Sequence, residues 1–351
     1  MNAFHDRMSR VAAAMLVSLS LAACTGSTGG LGDDAGSGPA SSSGGATSGG
    51  SEGVNPQADC PSGELCLKAP SAGFQVQTVG DQIQPGEDVE FCEVVELPGD
   101  PDETYYVSEF ELAMTTFSHH LIVVAALPGS ATEANIKAGD KKKCFTPDAF
   151  GGEISSVTGS QKPYHRELFP DGVGKVFHGG QKLIFDYHYF NASKAPVQAR
   201  GAVNFHLVEA SHVQRIAHSF GFYNFDIKTP PQTTKSFEAT CGFTRDVLVQ
   251  KLTRHTHQWG RDFSVAFAGG AKDGSHIWTS PDYEVTEFVF DEPVLMSKGT
   301  GFTFTCEFEN TTAETLKFGI TAADEMCILF GTWFTPVVGD DSAAEQRCDA
   351  Y

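Results

Sequence analysis

The chain has 351 residues and a formal net charge of −20, with 44 acidic against 24 basic residues. Such an acidic balance argues against nucleic acid and other polyanions as partners, and it favours neutral or cationic ones. After the N-terminal region, roughly 290 residues remain, which is long for one hydrophobic core and sufficient for two.

The first 23 residues have the pattern of a secretory signal. A short basic region with Arg7 and Arg10 precedes the apolar run 11–21, and small residues then lead to Cys24. This arrangement is typical of a lipobox, so we predict that residues 1–23 are a lipoprotein signal peptide and that Cys24 becomes the lipidated N-terminus of a bacterial lipoprotein. The alternative is an ordinary signal peptide followed by an incidental cysteine.

Residues 24–58 are rich in glycine and serine and contain few large apolar side chains. Such a segment cannot bury a core, so we expect a flexible tether with a reach of about 30 Å. The protein is therefore predicted to be exported and lipid-anchored to a bacterial membrane, in the cell envelope or periplasm or at the cell surface. The lipid is the only membrane contact expected, because no other stretch is long and apolar enough to span a bilayer.

The rest of the chain is predicted to be all-β. Short runs of alternating apolar and polar residues are separated by turns that contain glycine and proline, and one short helix is expected at 132–138. Many short strands at this spacing are typical of β-sandwiches or barrels. A polar stretch at 209–214 lies midway, so we place the boundary between an N-terminal domain (59–208) and a C-terminal domain (209–351) there.

Apart from Cys24, the chain contains an even number of cysteines, which in an exported protein indicates disulfides. Sequence alone leaves 105 possible pairings of eight cysteines. The absence of a CxxC motif argues against a zinc ribbon or a thioredoxin-type site. The eight are Cys60, Cys66, Cys92, Cys144, Cys241, Cys306, Cys327 and Cys348.

Five histidines and one methionine stand in settings that suggest metal binding. Neutral imidazole is a common ligand for copper and zinc, and a thioether suits copper, especially Cu(I). Each residue also has a simpler interpretation, as a hydrogen-bonded strand histidine or as a core methionine. The candidate ligands are His119, His120, His188, His255, His257 and Met326.

Strand geometry makes different predictions for the two close pairs of histidines. His255 and His257 are two residues apart, so on a strand they lie on the same face and can share a metal ion. His119 and His120 are adjacent and would face opposite sides. One metal ion can bind both only if the strand bends or if the two rings use different nitrogens.

The order of these motifs resembles that in the ascorbate-dependent type II copper monooxygenases, the family that includes dopamine β-monooxygenase and peptidylglycine α-hydroxylating monooxygenase. A His-His pair is followed by a His-Tyr strand, then by His-Thr-His, and then by Glu-Met-Cys. The resemblance spans roughly residues 74–351 and extends to "FPDGVGKVFHGGQKLIFDYHYFN", "GFTFTCEFENTT" and "FGITAADEMC". It implies two antiparallel jelly-roll β-sandwich domains in tandem.

The resemblance also implies two copper ions per chain. The electron-transfer copper of the N-terminal domain would bind His119, His120 and His188. The oxygen-activating copper of the C-terminal domain would bind His255, His257 and Met326, which are the catalytic residues by this comparison. Each copper would be reduced by one electron, and an open position at the second would receive dioxygen.

Disulfide pairings follow from the same resemblance: Cys92–Cys144, Cys241–Cys348 and Cys306–Cys327, with Cys60–Cys66 left as a local bridge. Asp186 lies two residues before His188 and is a candidate partner for a metal-bound imidazole. Its simpler interpretation is a strand residue that faces solvent.

The implied activity is hydroxylation of a C–H bond of a small organic substrate, with dioxygen and an external one-electron reductant such as ascorbate. Peptide-amidating members hold a substrate carboxylate with an arginine two residues before His-Thr-His. Thr253 stands there, and Arg254 comes one residue later, where a strand directs its side chain to the other face. Ile328 and Phe330 replace two further polar anchors of those members, which predicts a more hydrophobic substrate pocket.

Two other functions remain open from the sequence. One is a non-catalytic lipoprotein that binds and handles copper, and the other is a surface adhesion or interaction module. We expect a monomer whose partners are a small-molecule substrate and dioxygen.

Overall fold

The alternating apolar pattern folds almost entirely into β-strands, so the all-β prediction is confirmed. The computed structural model describes residues 55–144, 153–281, 287–319, 323–340 and 346–348. The predicted signal peptide, Cys24 and the tether up to residue 54 lie outside the described residues. Residues 48–351 form one structural unit, and the description below concerns this unit.

The strands of the described N-terminal half are β1 (Gly73–Gln77), β2 (Asp81–Ile83), β3 (Asp88–Glu96), β4 (Thr104–Met114), β5 (Ser118–Ala126), β6 (Lys141–Lys143), β7 (Ile154–Ser160), β8 (Tyr164–Leu168), β9 (Val173–His178), β10 (Lys182–Phe190), β11 (Val197–Ala199) and β12 (Gly201–Val208). The predicted helix is present but shorter, as α1 (Ala131–Asn135). The Ser130 side chain caps it by accepting the Glu133 N–H, and the extended backbone of Ile136 ends it.

The strands of the described C-terminal half are β13 (Arg215–Asn224), β14 (Lys228–Thr229), β15 (Thr233–Phe243), β16 (Val247–His255), β17 (Gly260–Ala268), β18 (His276–Ser280), β19 (Glu287–Met296), β20 (Gly301–Asn310), β21 (Leu316–Lys317), β22 (Cys327–Phe334) and β23 (Gln346–Cys348). Single turns of 3-10 helix lie at Ala210–His212 and Gly270–Lys272. Within the described residues, no helix is long and apolar enough to cross a membrane.

One nine-stranded sheet runs through both halves in the order β1-β12-β4-β9-β13-β22-β16-β19, with β8 paired to β4. A five-stranded sheet, β6-β3-β10-β5-β7, belongs to the N-terminal half, and a second, β18-β17-β20-β15-β23, belongs to the C-terminal half. The pairing is antiparallel except where β13 runs parallel to β9 through Arg215 and Ile216. The two halves therefore share a continuous sheet.

Strand alternation decides which side chains enter the two cores and which remain for function. In β10, Leu183, Phe185 and Tyr187 pack into the N-terminal core, so Asp186 and His188 lie on the opposite face. In β22 the same rule applies to the C-terminal core, which receives Cys327, Leu329 and Trp333. The alternate positions of both strands contribute to the candidate sites described below.

A buried ion-pair network lies where the halves meet. Glu167 on β8 pairs with Lys251 on β16 at 2.5 Å. Lys175 on β9 donates to the Ser219 hydroxyl on β13 at 2.9 Å and to two carbonyls of β7. Burial raises the pKa of Glu167, but the charges of Lys251 and Lys175 outweigh it and hold that pKa at about 2. The network therefore joins the halves through charges that are present at neutral pH.

All four disulfide pairings that the resemblance implies are present: Cys60–Cys66, Cys92–Cys144, Cys241–Cys348 and Cys306–Cys327. The last of these ties the first residue of β22 to β20 across the C-terminal core. It therefore fixes the chain immediately after Met326.

Candidate metal centres

Three histidines of the N-terminal half converge. One ring nitrogen from each of His119, His120 and His188 lies within 4.8 Å of the other two. The Nδ1 atoms of His119 and His120 are 3.4 Å apart, and the ring centroids of His119 and His188 are 4.9 Å apart. These three residues are called the N-terminal centre below.

A β-bulge allows the two adjacent histidines to meet the third. His120 on β5 lies directly opposite His188 on β10, but the next residue of β10, Tyr189, pairs with Ser118. His119 is therefore the extra residue of a bulge and leaves the normal alternation of β5. Phe117, with φ of 69°, turns the chain sharply just before the strand. The bulge supplies the bend that binding of one ion by both histidines requires.

Three carboxylates lie close to the rings of His120 and His188. Nε2 of His120 lies 3.4 Å from Glu90 and 3.7 Å from Asp186, and Nε2 of His188 lies 2.5 Å from Asp88. Glu90 stands opposite His188 on the neighbouring strand β3, with Asp88 two residues before it on the same face. Asp186 is 6% exposed, so it does not face solvent. Its proximity to His120 fits the role that the sequence suggested for it.

Burial and these charges shift the pKa values of the N-terminal centre. Burial lowers the pKa of His120, but interactions with Asp186 and Glu90 outweigh it and raise that pKa to about 9. Burial together with the charges of His120 and His188 lowers the pKa of His119 to about 4. Burial raises the pKa of Asp186 above its usual range. At neutral pH, His119 is therefore a neutral imidazole available as a ligand.

In the C-terminal half, the expectation that both histidines of "HTH" lie on one strand is wrong. β16 ends at His255, and His257 lies in the turn that follows. The two rings nevertheless remain close, with centroids 5.3 Å apart and planes at 89°. Together with Met326 they are called the C-terminal centre below.

Glu325 explains why the chain leaves the strand after His255. Its carboxylate accepts the backbone N–H of His257 at 2.9 Å and of Trp259 at 2.7 Å, and it also accepts the N–H of Met326. The side chain is fully buried, and burial raises its pKa to about 7 against the opposing effect of these hydrogen bonds. One carboxylate thus holds the two segments that carry His257 and Met326.

The imidazoles of the C-terminal centre are neutral and oriented. Nδ1 of His257 lies 2.9 Å from the Asp324 carbonyl, so this nitrogen donates and Nε2 is left as the ligand atom. Burial and the charge of His257 lower the pKa of His255 well below its usual value. Both rings can therefore serve as nitrogen donors without first losing a proton.

Strand register places Met326 on the same face of the sheet as His255. His255 lies opposite Ile328, so Met326, two residues before Ile328, emerges on the same face as His255. Met326 is 9% exposed. Gly260 closes the turn because a Cβ there would lie 2.4 Å from the hydroxyl of Thr256, the residue between the two histidines. The glycine of "HTHQWG" thus has a steric role.

Half-buried aromatic rings line the same face of the sheet next to the C-terminal centre. Phe330 lies with its ring centroid 6.2 Å from that of His255 and 6.0 Å from that of Tyr223. Gly221 leaves room for both rings, since a Cβ there would be 3.0 Å from Tyr223 and 3.1 Å from Phe330. Arg254 points the other way, buried and bonded to the Ser280 carbonyl at 2.6 Å. The face beside the histidines is therefore apolar, as the departures from the peptide-amidating members predict.

The two centres lie within electrostatic reach of each other. The charge of His120 lowers the pKa of His257, and the charge of Glu90 raises it. The charges of His120 and His119 lower the pKa of His255. Glu90 is the carboxylate that acts on imidazoles of both centres. The N-terminal and C-terminal centres are therefore close enough to influence each other's protonation.

Two histidines outside the centres, His206 and His218, make contacts that explain their positions. His206 lies 2.7 Å from Glu111 and forms a cluster with Glu109, which is held in turn by Arg166 at 2.6 Å. His218 stacks on Trp333 with centroids 4.5 Å apart. The Glu109–Glu111–His206 cluster was not anticipated from sequence, and its ion pairs account for its geometry.

Sequence reasoning missed Asp88, Glu90 and Glu325. The alternation of acids in "EDVEF" places Asp88 and Glu90 on one strand face, and that pattern could have indicated an acidic surface opposite His188. Glu325 carries no comparable local signal. Its importance depends on hydrogen bonds to a segment more than sixty residues away in the chain.

Comparison with known families identifies the C-terminal half. Residues 220–349 match the family model described as "Copper type II ascorbate-dependent monooxygenase, C-terminal domain". These residues contain part of β13, all of β14 to β23 and all three members of the C-terminal centre. The match confirms, for this part of the chain, the recognition made from the ordered motifs.

The solved structures that resemble this chain do so only weakly. The chain is similar to PNGase F, a glycosylasparaginase from Flavobacterium meningosepticum, at 8% identity and a TM-score of 0.33, with 79% of this chain and 100% of that chain covered. It is similar to the major capsid protein P2 of bacteriophage PM2 at 10% identity and a TM-score of 0.26, with coverages of 76% and 98%. Scores this low do not establish a shared fold. No curated protein sequence matches the chain.

The donor sets of both centres fit copper. The N-terminal centre offers three imidazoles within one coordination distance, and the C-terminal centre offers two oriented neutral imidazoles and a thioether. Nitrogen with soft sulfur is the combination that copper prefers, whereas magnesium and calcium prefer oxygen.

Proposed function

We propose that the protein is a copper-dependent monooxygenase that hydroxylates a C–H bond of a small organic substrate, using dioxygen and an external one-electron reductant such as ascorbate. The observation that carries the proposal is the presence of two different imidazole-containing donor sets, one of them within the stretch that matches the family. Two copper ions per chain are part of the proposal. So are the tandem jelly-roll topology and the boundary between domains 59–208 and 209–351.

In this proposal the N-terminal centre handles electrons. Its three imidazoles would hold one copper ion, and the bulge at His119 brings the third nitrogen into place. Asp88, Glu90 and Asp186 orient the rings of His188 and His120 from the side away from the ion. His119 and His188 are more exposed than the buried His120, and they provide an edge accessible to a small reductant.

The C-terminal centre is the proposed site of substrate oxidation. Copper held there supplies one-electron redox chemistry and the activation of dioxygen. The chain's own contribution is to fix Nε2 of His257 through the Asp324 carbonyl, to hold Met326 through Glu325 and the Cys306–Cys327 disulfide, and to keep the surroundings dry. The thioether favours the reduced form of the ion.

The substrate is proposed to be small and fairly apolar, with or without an amine. Phe330, Tyr223 and Phe225 present ring faces and edges beside His255, and Phe225 meets Phe318 at 4.8 Å. A substrate carboxylate would find no arginine here, because Arg254 is buried on the other face. The acidic chain is compatible with an amine, since cationic partners suit its negative charge.

The protein is further proposed to act as a monomer that is exported and anchored to a bacterial membrane by the lipid on Cys24. A copper-handling role without catalysis is the competing function. The aromatic face beside the C-terminal centre supports a substrate, because a protein that only binds copper has no need of one.

Oxygen uptake tests the proposal. The copper-loaded chain would be supplied with ascorbate and, in turn, with phenethylamines, aromatic hydrocarbons and glycine-extended peptides. We expect uptake stimulated by one of the first two classes and abolished in Met326→Ala. Uptake that no candidate stimulates, in a chain that holds two copper ions, would favour copper handling instead.

A further inference from the structure

We infer that Asp88, Glu90 and Asp186 set the two centres apart in redox potential, so that copper at the N-terminal centre is harder to reduce than copper at the C-terminal centre. The inference rests on the proposed function, since it assumes copper at both centres. It also predicts the direction of electron transfer between the two centres. An electron received at the N-terminal centre would move to the C-terminal centre, where the reduction potential is higher.

The first step is the position of the carboxylates relative to the imidazoles. Nδ1 of His120 faces His119 within the cluster, and Nε2 of the same ring faces Glu90 at 3.4 Å and Asp186 at 3.7 Å. The His120 and Asp186 side chains are 11% and 8% exposed. Asp88 lies 2.5 Å from Nε2 of His188. His120 therefore has two carboxylates near the nitrogen that points away from His119, and His188 has one carboxylate at its Nε2.

The second step is what these carboxylates do to a bound ion. A carboxylate behind a ligating histidine makes the imidazole a stronger donor and fixes its orientation. Its negative charge also stabilises Cu(II) more than Cu(I), because the attraction scales with the charge of the ion and is poorly screened in a buried site. Both effects favour the oxidised ion and lower its reduction potential.

The third step is the contrast with the C-terminal centre. Among the described residues, the carboxylate held against its segments is Glu325, and its oxygens accept backbone N–H groups of His257 and Trp259 rather than an imidazole N–H. Nδ1 of His257 faces a neutral carbonyl, that of Asp324, where His120 faces two acids. The largest electrostatic influences on His255 come from basic groups. With a thioether as third donor, this centre favours Cu(I).

The consequence is a downhill transfer of one electron. An ion held by His119, His120 and His188 would give up one electron and an ion held by His255, His257 and Met326 would accept it, so that the pair would neither gain nor lose charge. The external one-electron reductant of the proposed function would then restore the first. Glu90 influences imidazoles of both centres, and it lies 3.4 Å from Nε2 of His120 at the N-terminal one.

The test is a redox titration of the copper-loaded full-length chain, followed by X-ray absorption. The copper–sulfur contribution identifies the C-terminal centre. Isosteric variants Glu90→Gln and Asp186→Asn would be compared with Glu292→Gln, which removes an exposed charge from β19. We expect the N-terminal potential to be the lower in the native chain. Each of the two variants should shift the Cu(II)/Cu(I) equilibrium of the N-terminal centre about tenfold, which is about 59 mV for one electron. The control should leave both potentials unchanged, and the C-terminal potential should shift less than the N-terminal one in both variants.

Several outcomes would overturn the inference. Equal potentials at two occupied centres would do so and leave the proposed function standing. Variants that lose copper without a change of potential would assign the carboxylates a purely structural role. A third metal ion per chain that disappears in Glu90→Gln would mean that Glu90, Asp186 and Nε2 of His120 are themselves ligands. A chain that binds no copper would overturn both the inference and the proposed function.

Discussion

The two candidate centres use a carboxylate in opposite ways. At the N-terminal centre, Glu90 and Asp186 point at the ring of His120 and leave their charge beside it. At the C-terminal centre, the carboxylate oxygens of Glu325 accept hydrogen bonds from backbone N–H groups, so Glu325 positions the chain rather than an imidazole. The N-terminal centre thus places negative charge beside a candidate ligand. The C-terminal centre instead fixes its candidate ligands through the backbone and includes a soft thioether donor.

The largest effect is expected from the buried ion-pair network of Glu167, Lys251 and Lys175, where the two halves meet. Replacing Glu167 by Gln leaves the buried Lys251 and Lys175 without their counter-ion, which should cost about 3–5 kcal/mol of unfolding free energy. Chemical denaturation of the metal-free protein measures this loss. Glu109→Gln, which removes a half-buried ion pair with Arg166, is the control and should cost less. Equal losses in the two variants would contradict a special role for the junction.

The same network predicts a pH dependence. The pKa of Glu167 is held at about 2 in the folded chain, below the ordinary value of 4.5 for a glutamate side chain. Its contribution, about 3 kcal/mol, is therefore present above pH 4.5 and is lost as the pH falls through 2. The stability difference between the native chain and Glu167→Gln should shrink across this window. A difference that stays constant from pH 5 to pH 2 would mean that the charge of Glu167 does not contribute.

A smaller effect is expected at Glu325, and it should be confined to one centre. Glu325→Gln keeps the size of the side chain but offers only one oxygen to the N–H groups of His257, Trp259 and Met326. We expect copper affinity at the C-terminal centre to fall about 10–100-fold, with that of the N-terminal centre unchanged. Competitive titration with a copper chelator measures both sites. Loss of affinity at both centres would show that they are not independent.

The smallest effect concerns the aromatic face. Phe330→Ala removes a ring that lies near His255 and Tyr223, so an apolar substrate should bind more weakly by about 0.5–1.5 kcal/mol. We expect KM to rise with little change in kcat and no change in copper content. Val289→Ala, an exposed apolar position on β19, is the control. An unchanged KM in Phe330→Ala would place the substrate elsewhere.

The sequence predicted what depends on local pattern. The all-β class follows from alternation, and the four disulfides follow from the ordered motifs. The convergence of His119, His120 and His188 follows from the same motifs. These features depend on residues close together in the chain or on spacings already known from relatives.

What the sequence did not predict depends on long-range register. The departure of His257 from the strand needs Glu325, and the charge beside His120 needs Glu90 on a strand that pairs with β10 but not with β5. The bulge at His119 arises from a mismatch between two strands, which neither strand reveals alone. Continuity of the nine-stranded sheet likewise rests on two residue pairs between β9 and β13.

The most direct measurement is copper content combined with substrate-stimulated oxygen uptake, in the native chain and in Met326→Ala. The account predicts two copper ions per native chain, uptake that requires both reductant and substrate, and a copper–sulfur contribution to the X-ray absorption spectrum. In Met326→Ala it predicts loss of the sulfur contribution and of the uptake, with the N-terminal copper retained. Uptake that survives in Met326→Ala, or a native chain that binds no copper at either centre, would contradict it.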